Sequence, residues 1–185
     1  MKLLVATSNV HKVAELERAL PGWEIGMLAG LDPPPEDGTT FEANARIKAR
    51  HARRHAPPDA WVAGEDSGIE AAALGGRPGV ESARWSDDGV AALLAALAGE
   101  ENRAARYVSV IVAVSPGGEE IVATGTLEGT VAEAPRGDEG FGYDPIVVPA
   151  GETQTVAELG NAWKAVNSHR ARAARALASR LGRPA

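Results

Sequence analysis

The chain has 185 residues, a hydrophobic content of 44% and a formal net charge of −6 at pH 7. This length suits one domain with a sizeable core, and the negative charge disfavours non-specific binding to nucleic acid. Cysteine is absent, which excludes disulfides, catalytic thiolates and zinc–thiolate sites and agrees with a reducing cytoplasm. We therefore expect one domain over residues 1–185, located in the cytoplasm and without a nucleic-acid partner.

The first half of the chain alternates between strand-like and helix-like segments. Short apolar runs predict buried strands, and apolar residues repeated every three or four positions predict helices. In chain order, the pattern predicts a strand over 3–6, a helix over 10–20, a proline-rich loop over 31–38, a helix ending near residue 55, a strand over 61–63 and a polar, glycine-rich loop over 64–79. Ser8 or Asn9 would cap the first helix, and Thr39 or Thr40 the second.

The second half predicts a hairpin and two further helices. In chain order, we expect a helix over 90–98 capped by Ser86 or Asp87, strands over 107–114 and 120–131 joined by a turn at 115–118, an irregular segment over 135–149 and a final helix over 168–181 capped by Ser168. Strand–helix alternation beside an antiparallel hairpin predicts an α/β fold with a mixed sheet. The longest apolar run, 90–98, is far shorter than the roughly 20 residues of a membrane span, so we expect no membrane partner.

The segment TSNVHK, residues 7–12, lies at the predicted turn from the first strand to the first helix. The free N–H groups and the dipole of a helix N-terminus favour an anion there, and Lys12 would add a full positive charge. No G-x-x-x-x-G-K-[ST] motif occurs in the chain, so this turn is not a P-loop. The residues alone leave two interpretations open: a phosphate site, or an ordinary helix cap with Lys12 in solvent.

Two pairs of carboxylates are candidates for a metal site: Glu36–Asp37 before a helix and Glu65–Asp66 after a strand. Mg²⁺ prefers hard oxygen ligands, typically one or two carboxylates together with water and substrate phosphate. Solvated turns explain such pairs equally simply, and for the first pair we favour that explanation. Asp66 follows an apolar strand and precedes a Ser–Gly pair, so we interpret it as a functional residue in a loop at a strand end.

A cationic group is formed by Lys48 on the second helix with Lys164, His169 and Arg170 near the last helix. His169 and Arg170 would open that helix at the end where its dipole disfavours cations, which suggests an anionic or acceptor-rich ligand. A basic, solvated helix surface is the alternative. A nucleophilic pair of Ser168 and His169 is disfavoured, because neighbours at a helix start rarely point at each other.

The segment GFGYDP, residues 140–145, places two of the few aromatic residues of the chain, Phe141 and Tyr143, among glycines. Glycine allows the backbone to approach a ligand closely, and the aromatic rings offer flat surfaces for stacking. Taken alone, the segment reads more simply as a tight loop with its aromatic side chains in the core.

Taken together, five segments closely resemble the inosine triphosphate pyrophosphatase family, whose members remove non-standard purine nucleoside triphosphates. In chain order they are TSNVHK (7–12), EDGTTFEANARIKA (36–49), GEDSGIEAAALGGRPGVESARW (64–85), GFGYDP (140–145) and KAVNSHRARA (164–173). They keep the order of the family and span almost the whole chain. One such segment would be weak support, but all five in order are highly specific.

The resemblance implies Mg²⁺-dependent hydrolysis of ITP, dITP or XTP to the monophosphate and pyrophosphate. It also implies a homodimer of elongated, two-lobed α/β subunits, each built around a long mixed sheet flanked by helices. The implied catalytic residues are Asp66, Lys48 and Asn44, and the implied metal-binding residues are Glu36, Asp66 and Glu65. The implied substrate-binding residues are Thr7, Ser8, Asn9, Val10, His11, Lys12, Ser67, Phe141, Gly142, Tyr143, Asp144, Lys164, His169 and Arg170.

Some residues depart from the family pattern. Glu65 stands where a second Asp is usual, and His11 stands where Gly is common. Ala43 replaces a frequent Glu, and Val147 replaces a usual Phe. The longer side chain of Glu65 and the loss of a carboxylate at Ala43 bear on the geometry of the expected metal site.

The implied base pocket has a simple selection rule. Hypoxanthine and xanthine present an acceptor at C6, whereas adenine presents an amino donor, and Lys164 and Arg170 offer only donors. Adenine would therefore leave buried donors unpaired. Two alternatives remain open: a pyrophosphatase for other modified nucleotides, and a nucleotide-binding sensor without turnover.

Overall fold

Six strands form one sheet in the computed structural model, which describes residues 1–28 and 30–182. The strands are β1 (Lys2–Ala6), β2 (Glu24–Met27), β3 (Trp61–Ala71), β4 (Ala104–Val114), β5 (Glu120–Val131) and β6 (Val147–Pro149). The α-helices of the described residues are α1 (Val10–Ala19), α2 (Phe41–His55), α3 (Gly89–Ala96), α4 (Val156–Asn167) and α5 (His169–Arg180).

The sheet is mixed, as the sequence predicts. Its strand order is β2-β1-β3-β4-β5-β6. β1 pairs in parallel with β2 and with β3, and the pairs β3–β4, β4–β5 and β5–β6 are antiparallel. Helices lie on both faces of the sheet, so the predicted α/β class is confirmed.

Strand β3 corrects the sequence prediction, which ended this strand at residue 63 and placed Asp66 in a loop. The strand continues to Ala71 and pairs with β4 from Val62 opposite Val114 to Ala71 opposite Ala105. Glycine and charged residues are depleted in strands, which is why the pattern indicated a loop. Here ten consecutive cross-strand pairs outweigh that local preference, and Asp66 lies in the middle of the sheet.

Gly64 and Gly125 allow one helix to pack closely on each face of the sheet. An added Cβ at Gly64 would lie 2.5 Å from the backbone nitrogen of Ala49 in α2. An added Cβ at Gly125 would lie 2.9 Å from the carbonyl carbon of Arg172 in α5. A glycine inside a strand commonly marks such a close backbone approach.

The buried apolar residues form three clusters along the sheet. One cluster packs α1 and α5 on one face of β1, β3 and β4, and a second packs α2 on the opposite face. The third lies toward the other end of β3 and β4, with α3, β6 and the start of α4. Residues 65–67 of β3 lie between Ala63 in the first cluster and Ile69 in the third. This segment is therefore held by packed neighbours on both sides.

The ends of the helices follow the predicted capping chemistry, with one exception. Asn9, Thr40 and Ser168 cap α1, α2 and α5, and each side-chain oxygen accepts a hydrogen bond from a backbone N–H of the first turn. The cap of α3 is Asp88 and not Ser86 or Asp87, and this helix spans Gly89–Ala96 rather than 90–98. Any of the three polar residues could cap by type, and tertiary packing selects one.

Three elements were not predicted from the sequence: β2, α4 and β6. Helix α4 begins at a capping box formed by Thr155 and Glu158, but Gly160 interrupts it with a φ of 79° and a ψ of 177°. That interruption hides the helical spacing of the apolar residues. β6 falls inside the segment 135–149 that was predicted to be irregular. Within residues 1–28 and 30–182, no helix is long and apolar enough to cross a bilayer.

Candidate active site

Asp66 lies at the centre of a buried polar group on the α2 side of β3. Lys48 donates from Nζ to Asp66 Oδ1 at 3.0 Å, to the backbone oxygen of Glu65 at 3.1 Å and to Glu36 Oε2 at 2.8 Å. Asn44 Nδ2 donates to Asp66 Oδ2 at 3.3 Å, and Asn44 Oδ1 accepts from the N–H of Gly38 at 2.9 Å. Two side chains of α2, Lys48 and Asn44, thereby connect Asp66 to the loop before α2.

Burial and neighbouring charges act in opposite directions on this group. Burial raises the pKa of Asp66 above its ordinary value, and the Lys48 ammonium offsets only part of that effect. Burial alone would lower the pKa of Lys48, but the carboxylates of Asp66 and Glu36 outweigh it and the pKa is raised. Lys48 therefore keeps its positive charge, while Asp66 is a stronger proton acceptor than a solvent-exposed aspartate.

Glu36 and Asp66 are the pair of carboxylates that fits a divalent cation. The Lys48 ammonium lies between them, within 3.0 Å of an oxygen of each, and so marks a position where both oxygens face a positive charge. Two hard oxygen ligands, completed by water and phosphate oxygens, are typical of Mg²⁺ sites. Among the residues that the structure describes, no group of three or more His, Cys, Asp or Glu side chains is arranged as a metal site.

Glu65 lies on the opposite face of β3 from Asp66, although Glu36, Glu65 and Asp66 were expected to bind the metal together. Successive side chains of a strand point to opposite faces of the sheet. Glu65 therefore faces α1 and α5, where Oε1 accepts from Ser109 Oγ at 2.8 Å and from Arg170 Nε at 3.1 Å, and Oε2 lies 2.7 Å from Lys12 Nζ. These partners hold the pKa of Glu65 well below its usual range despite complete burial.

The turn of residues 7–12 is tied together by its own side chains. Thr7 Oγ1 accepts from the N–H of Asn9 at 3.1 Å, and Asn9 Oδ1 accepts from the N–H of His11 at 2.9 Å. Ser8 and Val10 are exposed. Lys12 points inward to Glu65 with a side chain that is still 17% exposed. The turn thus presents a helix N-terminus and a partly accessible ammonium on the same side.

Arg170 and Lys164 occupy a second buried group on the α1 and α5 side. Arg170 donates to Glu65, to Ser67 Oγ at 2.9 Å and to Glu15. Lys164 Nζ lies 2.5 Å from an oxygen of Glu15 and 2.5 Å from Asp144 Oδ2. Burial would lower the pKa of Arg170, but Glu65 and Glu15 outweigh it and the pKa is raised. Of the predicted cationic group, Lys164 and Arg170 are therefore brought together and held by carboxylates, whereas Lys48 lies on the α2 face of β3 with Asp66 and Glu36.

Glu15 is a site residue that the sequence analysis missed. It is 5% exposed and bridges Lys164 and Arg170 from α1. Its spacing of four residues from the buried Ala19 places it on the inner side of the helix, and this was the one available signal. The reason for burying a carboxylate there appears only when α4 and α5 pack against α1.

Asp144 organises the loop of residues 140–145. Its Oδ2 accepts from the N–H of Phe141 at 2.9 Å, and its Oδ1 accepts from Tyr107 Oη at 3.1 Å. Burial raises the pKa of Asp144, and Lys164 offsets part of the effect. Tyr143 is buried and donates to the backbone oxygen of Ser82 at 2.9 Å, whereas Gly142 is exposed. The contacts of Asp144 and Tyr143 therefore hold the loop of residues 140–145 in its shape.

Phe141 lies where the turn of residues 7–12 meets Lys164 and Arg170. Its ring is stacked on His11 with centroids 5.3 Å apart and an angle of 24° between the planes. Lys164 Nζ lies 4.6 Å and Arg170 Cζ 5.6 Å from the centroid of the same ring. The ring of Phe141 therefore brings the start of α1 next to both cations.

His169 is buried and neutral. Its ring is stacked on Tyr107 with centroids 4.5 Å apart, and its Nδ1 has no hydrogen-bond partner in the described structure. Burial, with a contribution from Arg170, lowers its pKa well below the ordinary value. A buried ring nitrogen without a partner is one of the few polar atoms here that a ligand could satisfy.

An open groove of about 560 Å³ borders Glu36. It is lined by residues 36–41 at the start of α2 and by Gly75–Arg84 residues of the loop after β3. The charged partners of Arg170 and Lys164 do not line it. The groove therefore extends from the Glu36 and Lys48 group, not from the Phe141 side.

Comparison with known proteins places the chain among described relatives. A model of the Ham1 family matches residues 3–180. A dITP/XTP pyrophosphatase of Bdellovibrio bacteriovorus is 43% identical, with 98% of each chain covered. A dITP/XTP pyrophosphatase of Mycobacterium tuberculosis is 49% identical, covering 93% of this chain and 91% of the relative.

Solved structures agree with the fold. A HAM1 protein from Coxiella burnetii matches with a TM-score of 0.87 and 32% identity, covering 98% of both chains. A nucleoside-triphosphatase / dITP/XTP pyrophosphatase from Mycobacterium abscessus matches with a TM-score of 0.73 and 45% identity, covering 94% of this chain and 96% of the other.

Proposed function

The chain belongs to the Ham1 family, and from this membership we propose that it hydrolyses ITP, dITP and XTP to the monophosphate and pyrophosphate. Relatives that are 43% to 49% identical over nearly the whole chain are named dITP/XTP pyrophosphatases. One observation of the structure carries the proposal. Residues 65–67 of β3 alternate between two buried groups, with Asp66 facing Lys48 and Glu36, and Glu65 and Ser67 facing Arg170.

On the Asp66 face, we assign the phosphoryl chemistry. Glu36 and Asp66 would hold Mg²⁺, which would stabilise the negative charge of the phosphate oxygens. Asp66 orients the attacking water and accepts its proton. Asn44 holds the second oxygen of Asp66 in place, and Lys48 provides positive charge beside the reacting phosphate.

The turn of residues 7–12, which we call the phosphate turn, binds and orients the triphosphate. The N-terminus of α1 and the Lys12 ammonium both favour negative charge. Lys12 forms an ion pair with Glu65, and its side chain is still 17% exposed, so its ammonium can also donate to phosphate oxygens. Thr7 and Asn9 hold the turn in the shape that points these donors outward.

On the Arg170 face, we assign recognition of the base. Arg170 uses three of its five N–H groups for Glu65, Glu15 and Ser67, and Lys164 donates one N–H to Asp144 and forms an ion pair with Glu15. The remaining donors suit the C6 oxygen of hypoxanthine or xanthine. The amino group of adenine would leave them unpaired, which can produce discrimination of about 10⁴. Stacking on Phe141 would contribute about 1–3 kcal/mol for any base.

We also propose that the enzyme is a homodimer that works in the cytoplasm on free nucleotides. The support is the resemblance of the five sequence segments and the substrates named for the relatives, which are free nucleotides. Light scattering would check the assembly, with an expected mass of twice the 19.1 kDa of one chain.

The test of the proposed function is pyrophosphate release from ITP, dITP, XTP, GTP, ATP and dUTP, each with Mg²⁺ and with a chelator. We expect fast release from the first three only, and none in chelator. Equal turnover of ATP would contradict the base assignment. Binding of dITP without any turnover would instead support a sensor.

A further inference from the structure

We propose that Glu65 is a positioning residue that couples the base side of the site to the phosphate side by holding Arg170 and Lys12 on one carboxylate. The inference rests on the proposed function, because it assumes a ligand with a base and phosphates. It assigns Glu65 a role other than metal binding. It also explains why the residue next to Asp66 is a fully buried glutamate.

The contacts of Glu65 divide between its two oxygens. Oε1 accepts from Arg170 Nε at 3.1 Å and from Ser109 Oγ at 2.8 Å. Oε2 lies 2.7 Å from Lys12 Nζ. The side chain of Glu65 is 0% exposed, so no water competes for these partners. The carboxylate cannot turn to improve one ion pair without changing the other.

Arg170 and Lys12 lie in different parts of the site. Arg170 is 2% exposed and also contacts Glu15, Ser67 and the ring of Phe141. Lys12 is 17% exposed and lies in the first turn of α1, beside the proposed phosphate turn. Glu65 is the carboxylate that contacts both, so it is the physical connection between them.

The surroundings of Glu65 differ from those of a metal ligand. Glu65 faces away from Asp66 and Glu36, and its oxygens already contact two cations and a hydroxyl group. Without this carboxylate, buried Arg170 and partly exposed Lys12 would repel each other and lose their shared partner, which is costly for the buried cation. A ligand that binds Arg170 therefore finds Lys12 already placed, and a ligand that binds Lys12 finds Arg170 already placed.

The first test is a double-mutant cycle on dITP binding, measured by calorimetry in chelator so that no turnover occurs. Lys12→Met and Arg170→Lys are made singly and together, first with Glu65 present and then in the Glu65→Gln background. With Glu65 present, we expect the effects on Kd to depart from additivity by about fivefold or more. In the Gln background they should be additive within about twofold. Additivity with Glu65 present would overturn the proposal.

The second test separates positioning from metal binding. Mn²⁺ binding without nucleotide is measured by electron paramagnetic resonance for the unmutated protein, Glu65→Gln and Glu36→Gln. We expect Glu36→Gln to weaken Mn²⁺ binding at least tenfold, and Glu65→Gln to change it less than twofold. Equal weakening by both changes would make Glu65 a metal ligand and overturn the proposal.

The matched control is Glu70→Gln, which removes a carboxylate charge from the same strand. Glu70 pairs with Arg106 at 2.6 Å, away from Lys12 and Arg170, so its loss should leave the cycle unchanged. If Glu65→Gln does not fold, Glu65→Asp keeps the charge on a side chain that is one methylene shorter, and we expect it to lose contact with one of the two cations. We expect that variant to fold and to lose the non-additivity, and a retained fivefold coupling would overturn the proposal.

Pyrophosphate release by the unmutated protein is measured separately. If dITP binds but is not hydrolysed, the proposed function fails while the binding cycle still tests the coupling. If dITP is hydrolysed and the cycle is additive, only the coupling fails.

Discussion

Asp66 and Lys48 show how the chemistry of single residues depends on their partners. Asp66 is buried enough for its pKa to rise, yet Lys48 and Asn44 give each of its oxygens a donor. Lys48 spends all three N–H groups on Glu36, Asp66 and the backbone of Glu65. A divalent cation that binds Glu36 and Asp66 would therefore share these carboxylates with Lys48.

Asp66→Asn keeps the shape of this group and removes the proton acceptor. We expect kcat for dITP to fall about 10² to 10⁴-fold, with KM changed only a few-fold, because the base contacts lie on the opposite face of β3. Pyrophosphate release measures both constants. Asp59→Asn, in the exposed loop after α2, is the control and should behave like the unmutated protein. A variant within a few-fold of normal activity would contradict the assigned role.

At the scale of elements, β3 decides the arrangement of the site. Its pleat sends Asp66 to the α2 face and Glu65 and Ser67 to the α5 face, so one short segment serves both groups. The helices that complete each face pack at glycines. Gly64 brings α2 onto β3, and Gly125 brings α5 onto β5.

Gly64→Ala tests this close packing. The added Cβ would lie 2.5 Å from the backbone nitrogen of Ala49 and 2.8 Å from Cβ of Lys48, so α2 must move outward. We expect the free energy of unfolding to fall by about 1–3 kcal/mol, and kcat to fall because Lys48 moves with the helix. Thermal and urea unfolding measure the first effect.

Gly117→Ala is the control for that change. Its nearest atom would be Ser115 Oγ at 3.7 Å, an ordinary contact, so stability should change by less than about 0.5 kcal/mol. Equal stability of both variants would show that α2 does not need the close approach.

At the scale of the whole molecule, the fold buries more charge than a structural core requires. Glu15, Lys48, Glu65, Asp66, Asp144, Lys164 and Arg170 are all at most 9% exposed. Removing one partner would leave another charge buried and unpaired, which is costly. The three apolar clusters around the sheet provide the stability that holds these groups together.

Buried His169 gives the whole fold a pH dependence. Its pKa is lowered in the folded state, so below about pH 6.5 the unfolded chain binds a proton that the folded protein excludes. The contribution of His169 to stability is therefore retained above pH 6.5 and falls by up to about 1.4 kcal/mol per pH unit below it, while the raised pKa values of Asp66 and Asp144 act in the opposite direction. In urea unfolding between pH 7.5 and 5.5, stability should fall less in His169→Gln than in the unmutated protein.

His55→Gln, on the exposed side of α2, is the matched control and should keep the slope of the unmutated protein. The pH range stays above 5 so that carboxylates with lowered pKa values, such as Glu65, do not contribute. An unchanged slope in His169→Gln would contradict the assignment.

Much of the fold could be predicted from local patterns. Helical spacing and capping residues located α1, α2 and α5, and apolar runs located β1, β4 and β5. β3 could not be delimited, because its polar centre satisfies contacts with α2 and α5 that are distant in sequence. β2, α4 and β6 lack a strong local pattern, and tertiary pairing or packing forms them. The single domain over residues 1–185 stays a prediction.

The sequence by itself determined the family and the residue types of the site. The order of five segments identified both the family and these residues, and membership in the Ham1 family confirms the resemblance that the segments indicated. Only the tertiary structure decided which face of β3 each carboxylate occupies, and which cation it meets. The physical reason is that residue type sets what a side chain can donate or accept, whereas the pleat of β3 and the packing of α1, α2 and α5 set the distances. Those distances separate Asp66 from Glu65 and bring Glu15 to Lys164 and Arg170.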